Sequence, residues 1–348
     1  MKYFILVFLS FFSGGVLGQN LVEKYYANIN KAELAICNHQ YQAAAKYYKK
    51  AFKTDISFGI DIVHAFQVSY RFNDKKNDIL HYAHRLAQRN YNPYTIFSSD
   101  SMVNEKLSLQ LKRIQDTTKR SVIDMLADTL DCIQQADQAD RKSGCAYQDT
   151  CKPKVNIRDS LRWESIEKLY QQYGNLNESI AGKLFHSHLH LILLHNTEWL
   201  RFPSEFLLEQ VKLGNFDARI YAFLYDIYFA NISRETQNKE ISKYYTDFNS
   251  HECIDNTLFI HVPIDKTNID KNRKEIFLET MDEYLRKVIY QFTTPSHERY
   301  FHFYTLNTFY FKDSKTEAKK RRELYDQYKD STDDWDFRYF VNDDFYTR

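Results

Sequence analysis

Helix breakers are scarce in this chain, and that scarcity limits its possible folds more than any other feature. Of 348 residues only 8 are Gly and 5 are Pro, and Gly14, Gly15 and Gly18 crowd the start. Hairpins and tight turns draw on such residues for positive or fixed φ angles. A chain that has so few is left with long helices joined by short polar turns. The expectation is an all-α fold of antiparallel helix pairs packed in a right-handed array. Its filling is aromatic, with 27 Tyr and 26 Phe. Tyr can bury its ring while its hydroxyl finds a partner or reaches water.

The first residues read as an export signal. Lys2 gives a positive start, and Tyr3 to Phe12 form an apolar stretch too short for a bilayer span. Val16 and Gly18 place small residues before a cleavage point that would leave Gln19 first. Residues 1–18 are thus expected to be a signal peptide, and the chain periplasmic or secreted. No Cys follows the apolar stretch and no later segment is long and apolar enough to span, so no stable membrane anchor is expected after cleavage.

Export permits disulfides. Cys145 and Cys151 flank a short polar loop and could bridge, while Cys37, Cys132 and Cys253 stand apart. An odd count leaves at least one free thiol. Cys37 and Cys132 fall in helical segments, where buried or free thiols are expected. There is no C-x-x-C pair, so no zinc pattern.

Charge argues against nucleic acid. The balance is 47 basic to 46 acidic residues, without the basic excess or basic face such proteins show. The densest basic run, Lys319-Lys320-Arg321-Arg322, has Glu317, Glu323 and Asp326 beside it and reads as a solvated helix face. No phosphate loop, G-x-S-x-G or H-E-x-x-H motif occurs, and no cofactor is expected.

Four regions follow from the patterning: the signal segment 1–18, a tetratricopeptide-like segment 19–100, a helical domain 101–250 and a C-terminal extension 251–348. In the second, Tyr41, Ala44, Tyr48 and Ala51 recur at helical spacing, the aromatic–Ala alternation of a tetratricopeptide second helix. Residues 20–36, 41–53, 58–72 and 75–88 would make two helix pairs. Further helices are expected near 103–114, 119–141, 157–173, 178–200, 204–213, 217–230, 236–247, 271–292 and 315–329. Residues 250–270 read as irregular, and the aromatic run 300–311 fits strand or helix.

A few polar residues interrupt apolar faces. Ile123, Leu126, Leu130 and Ile133 set a stripe that continues onto Asp137 and Arg141, a pair in the favoured acid-before-base order. Asp159 stands one turn before Trp163, Ile166 and Tyr170, where a first-turn acid also suits the helix dipole. His195 ends the apolar run Leu189–Leu194. His186 and His190 are four apart, a chelating spacing that lacks a third ligand; no metal site is expected. Asp226 is the one charge in Ile220–Ala230. A carboxylate buried alone costs several kcal/mol, so Asp226 needs a partner, with His195 and Arg141 as candidates.

Residues 125–247 resemble a bacterial helical domain family of unknown function. The resemblance rests on Asp137-Gln138-Ala139-Asp140-Arg141, Asp159, Gln172-Tyr173-Gly174, Ala181-Gly182, Leu193-Leu194-His195 and Asp226. The family pattern has Pro soon after Tyr-Gly, Arg after the later Asp, and a closing Tyr-Gly-Thr. Here Asn175-Leu176-Asn177, Ile227 and Tyr244-Tyr245-Thr246 stand instead. The resemblance implies that Asp137, Gln138, Arg141, Asp159, His195 and Asp226 converge. It names no reaction.

Two functions remain on the sequence, beside a purely structural reading in which the polar cluster only fixes helix register. One is a module that binds a protein or peptide through residues 20–89, since stacked helix pairs present grooves. The other is a hydrolase-type enzyme, with His195 as general base oriented by Asp226 or Asp159, Arg141 stabilising a developing anion, and Asp137, Gln138 and Arg141 binding the ligand.

Overall fold

The computed structural model describes residues 2–73, 75–97, 105–145, 148, 150–174, 176–197, 203–236, 242–246, 251–254, 257–260, 265–294, 301, 310–311 and 338–341, the backbone alone being described before Asn20 and at 73, 97, 196–197, 231–236, 251–254, 257–259, 310–311 and 338–341. The signal segment's side chains and the expected helix 315–329 lie outside the described residues, as does most of the run 300–311.

The chain is all-α in class. Helices α1 (Lys2–Cys37) and α2 (Tyr41–Ala51) pack as a pair, followed by α3 (Gly59–Val68) and α4 (Lys76–Gln88). Small residues let α1 and α2 approach: Ala32, Ala35, Ala44, Ala45 and Ala51 are all buried, with Tyr48 filling the space between. The central helices are α5 (Glu105–Thr117), α6 (Asp124–Lys142), α7 (Lys152–Tyr173), α8 (Glu178–Ala181), α9 (Phe185–Thr197), α10 (Ser204–Lys212) and α11 (Ala218–Thr236). Helix α9 packs against α6, α7 and α11 together, which is why its sequence is apolar around most of its axis. Among the described residues no helix is long and apolar enough to cross a membrane.

Several boundaries moved for local reasons. The expected helix 178–200 is broken at Gly182, whose φ of 88° no helix accepts. The following Lys183 N–H donates to the carbonyl of Arg89 instead. The expected helix 271–292 is two helices, α12 (Lys266–Glu275) and α13 (Met281–Thr293). Phe277 turns the chain at φ 66°, and Thr280 with Glu283 forms a capping box that restarts it. Residues 242–246, expected to be helical, form a loop. Within the segment expected to be irregular, β1 (His251–Ile254) pairs antiparallel with β2 (Thr257–Ile260). Strands β3 (Tyr310–Phe311) and β4 (Arg338–Val341) flank that pair in the order β3-β1-β2-β4. This small sheet is an addition to the helical body.

One hydrophobic cluster runs from Val22 through the central helices to Phe301, so the first four helices and α6–α11 share a core. A smaller cluster of Ile260, Ile269, Met281, Tyr284 and Val288 lies under the C-terminal strands and helices.

Candidate functional site

The stripe of α6 does continue onto a carboxylate. Leu126 and Leu130 are buried, and so is Asp137, at 1% exposure. Helix α7 answers with Val155, Asp159, Arg162, Ile166 and Tyr170 on its buried face. The two helices therefore meet with charged residues at their centre, and α9 brings His195 to the same place.

Asp137 is the hub. Its Oδ2 lies 2.7 Å from His195 Nδ1 and accepts from Gln138 Nε2 at 3.0 Å. Its Oδ1 faces Arg141 Nη2 at 3.9 Å and Arg162 Nη1 at 3.8 Å. Asp159 takes Arg141 Nη2 at 2.7 Å and Arg162 Nη1 at 2.5 Å. Arg162 also donates to Asp140 and to the Ala136 carbonyl. Arg158 closes the outer side on Asp140 with bonds of 2.9 and 2.6 Å. Those hydrogen bonds, with a smaller contribution from Arg162, hold the Asp140 carboxyl down at about 2. Three aspartates thus meet three arginines, and their formal charges cancel. The Cys145–Cys151 disulfide ties the loop joining α6 to α7 just beyond. Cys37 and Cys132 are free thiols; burial pushes Cys37 up to about 12.

Not every donor in the cluster is used. The Arg141 side chain is 8% exposed. Its Nε and Nη1 are buried without a hydrogen-bond partner. Each such buried group costs about 1–3 kcal/mol if nothing satisfies it. His195 keeps a side-chain exposure of 15%. With Nδ1 held by Asp137, its Nε2 is the atom left for chemistry.

Asp137, Gln138, Arg141, Asp159 and His195 therefore come together as the sequence implied. Asp226 does not join them. It is buried at 1%, and accepts from the backbone N–H of Tyr244 at 3.1 Å, of Thr246 at 3.0 Å, and from Thr246 Oγ1 at 3.0 Å. Neither His195 nor Arg141 is its partner. Burial pushes its carboxyl up, against hydrogen bonds that favour the ion. Asp226 fixes the loop at residues 242–246, which were expected to be helical. His186 and His190 also diverge. His186 Nδ1 faces Glu178 at 3.4 Å, and His190 lies edge-on to Phe223. Burial, then the charge of His195, push His190 down to about 4.

Sequence reading missed Arg158 and Arg162, although Arg162 lies three after Asp159, a pairing distance on a helix. It also missed a second buried network. Arg219 on α11 binds Asp61 on α3 with both terminal nitrogens at 3.0 Å, and Asp217 at 2.7 Å. Lys287 on α13 binds Glu33 on α1 and, at 3.3 Å, Glu279. Asp61 sits among Gly59-Ile60 and Ile62-Val63, the same signature that marked Asp226. The face of α1 and α3 is filled from within: Phe277 stacks on Tyr26, and α1 packs against α10 and α13.

Glu33, Asp61 and His64 offer ligand atoms within 4.8 Å of one another, a metal-compatible group among the described residues. Arg219 and Lys287 already neutralise its two carboxylates, so a dication would have to displace both.

Comparison with family models, with curated protein sequences and with solved structures finds no match to this chain.

Proposed function

We propose that this is an exported hydrolase-type enzyme whose acid–base centre is His195 oriented by Asp137. One observation carries the reading: a buried carboxylate 2.7 Å from His195 Nδ1, with Arg141 Nη2 3.9 Å from the same carboxylate and Nε and Nη1 of Arg141 still unmet. Asp137 accepts Nδ1–H and fixes the tautomer that leaves Nε2 basic. Nε2 takes a proton from water, and the resulting hydroxide attacks the substrate's electrophilic centre. The oxyanion that forms meets Arg141, and His195 returns its proton to the leaving group. Asp137 takes the orienting role first given to Asp226 or Asp159; Asp159 instead positions Arg141.

The competing reading is a module that binds a protein or peptide through residues 20–89. Arg219, Phe277 and Lys287 of the same chain contact Asp61, Tyr26 and Glu33 of these helices, which weighs against a free groove there. The hydrolase reading is preferred because those contacts take up part of the helix faces a partner would share.

The test is turnover of chromogenic ester, amide and phosphoester substrates by the full chain. His195→Gln and Asp137→Asn should each lower kcat by about 10²- to 10⁴-fold, the range for a positioned general base, while circular dichroism stays unchanged. Turnover untouched by His195→Gln, or none with any of the three classes, would sink the proposal.

A further inference from the structure

Residues 242–246 are held more firmly than a connecting loop needs. Besides the two N–H groups that Asp226 takes, Ser242 Oγ accepts the Tyr245 N–H at 2.9 Å. Asn272 Nδ2 donates to the Lys243 carbonyl at 3.1 Å, and the buried Arg273 donates through Nη1 to the Tyr244 carbonyl at 2.9 Å. Tyr245 stands in left-handed backbone at φ 52°, which a bulky side chain adopts only where its surroundings impose it. Two buried charges, Asp226 and Arg273, thus fix one short loop. Loops fixed on a rigid scaffold are where proteins commonly carry binding groups.

The group this loop presents is Lys243. Its Nζ lies 5.3 Å from the ring centres of both Tyr225 and Tyr244, so the ammonium rests on aromatic faces. Lys243 and Tyr244 line a cavity of about 290 Å³ together with Leu208, Lys212, Glu275, Ile276 and Phe277. Among the described residues neither lysine has a carboxylate within ion-pair distance, and the exposed Glu275 pairs with neither. Helices α10 and α12 end at this cavity with their last carbonyls taken. The N–H groups of Leu213, Asn215 and Gly214 donate to Glu209, Gln210 and Val211, and those of Ile276 and Phe277 to Arg273 and Lys274. The negative helix ends are therefore capped, and two ammonium groups against one carboxylate leave the walls with an excess of one positive charge.

The other walls are apolar, and two of them, Tyr244 and Phe277, are rings. Apolar walls with a few convergent polar groups are the mark of a small-molecule site. The excess charge selects a single negative charge on the ligand, and the rings select a flat apolar body.

We propose that this cavity binds a small organic acid with one carboxylate on an aromatic body, the carboxylate meeting Lys212 and Lys243 and the body lying against Ile276 and Phe277. The site shares no residue with the Asp137–His195 cluster, and it goes beyond the hydrolase reading without depending on it.

The experiment is titration calorimetry of the full chain with benzoate, acetate and benzylamine. Benzoate should bind at least about tenfold more tightly than acetate, because its ring is buried in addition to the same charge contact. Benzylamine keeps the ring and reverses the charge, and should bind at least about tenfold more weakly than benzoate. Lys212→Met and Lys243→Met should each weaken benzoate about tenfold, the size of one lost charge-assisted hydrogen bond. Lys243→Met also removes the contact with Tyr225 and Tyr244, so Lys212→Met, at a half-buried position with no other partner, guards against a folding defect. Glu275→Gln should tighten benzoate. No benzoate binding, equal affinity for acetate or benzylamine, benzoate affinity untouched by Lys212→Met, or weaker binding in Glu275→Gln overturns the site. Benzoate binding without His195-dependent turnover would keep this site and remove the hydrolase reading. Turnover without benzoate binding would do the reverse.

Discussion

Arg219 and Asp61 form a buried two-point ion pair across 158 positions of sequence, each terminal nitrogen 3.0 Å from a carboxylate oxygen. It joins α11 to α3 and thereby locks the central helices onto the first four. Asp217, Glu33 and the Tyr25 hydroxyl complete the shell. Burial pushes the Asp61 carboxyl up, and Arg219 pulls it back toward the ion.

Breaking one side of that pair leaves a charge stranded. Arg219→Met should therefore cost about 3–5 kcal/mol in urea unfolding, the usual penalty for an orphaned buried charge. Arg219→Lys should recover little, because an ammonium cannot span both oxygens of Asp61 while holding Asp217. A loss below about 1 kcal/mol, typical of an exposed pair, would mean the network is not buried as described.

Asp226 belongs to the loop and not to the His195 centre. Asp226→Ala should lower stability by about 1–3 kcal/mol, since the N–H groups of Tyr244 and Thr246 lose their acceptor in the core. Turnover per folded molecule should stay at the level of the unsubstituted chain. A large fall in kcat at unchanged stability would place Asp226 in the chemistry after all.

Stability should depend on pH in two separate windows. His190 is pushed down to about 4 in the fold, from an ordinary value near 6.5. Between those values the unfolded chain takes up a proton that the folded chain refuses. Stability from this group thus falls as pH drops from about 6.5 to 4, by at most about 3 kcal/mol. Asp140 is held at about 2 by Arg158 and Arg162. Glu279 also lies at about 2: burial raises it, but Lys287 and Arg273 outweigh burial. These two stabilise above the ordinary carboxylate range and lose that contribution as pH falls toward 2. Thermal melts from pH 8 to 2 should show both limbs, and His190→Asn should lessen the upper one alone, to which His81 and His188, also pushed down by burial, contribute the rest. An unchanged upper limb in that variant would refute the assignment.

Gly59 opens α3 where no side chain fits. An added Cβ would collide with Glu178 Oε1 and the Tyr91 hydroxyl. Glu178 is buried and held by the Gly59 N–H at 2.8 Å and by Tyr91 at 2.7 Å. Gly59→Ala must break that pair of hydrogen bonds and should cost about 2–3 kcal/mol. A chemical melt within about 0.5 kcal/mol of the parent, the scatter of neutral surface changes, would show that Glu178 moves aside freely.

Local pattern alone determined much of this protein. Few breakers and an aromatic three-four rhythm dictated helices, and the Ala–Tyr alternation of Tyr41–Ala51 dictated a close pair, because helix faces are written at short range. The burial of Asp137 was legible for the same reason, because it interrupts an apolar stripe; that Asp137, Arg141, Asp159 and His195 converge was implied by the family resemblance instead. What a buried charge binds is not local. Asp226 and Asp61 carry the same signature in sequence, yet one caps a loop eighteen residues on and the other grips an arginine 158 positions away. Only the tertiary placement of Arg219 beside Asp61, and of residues 242–246 beside Asp226, selected those partners. Burial demands a partner for each charge, but many arrangements can supply one, and the tertiary structure chose among them.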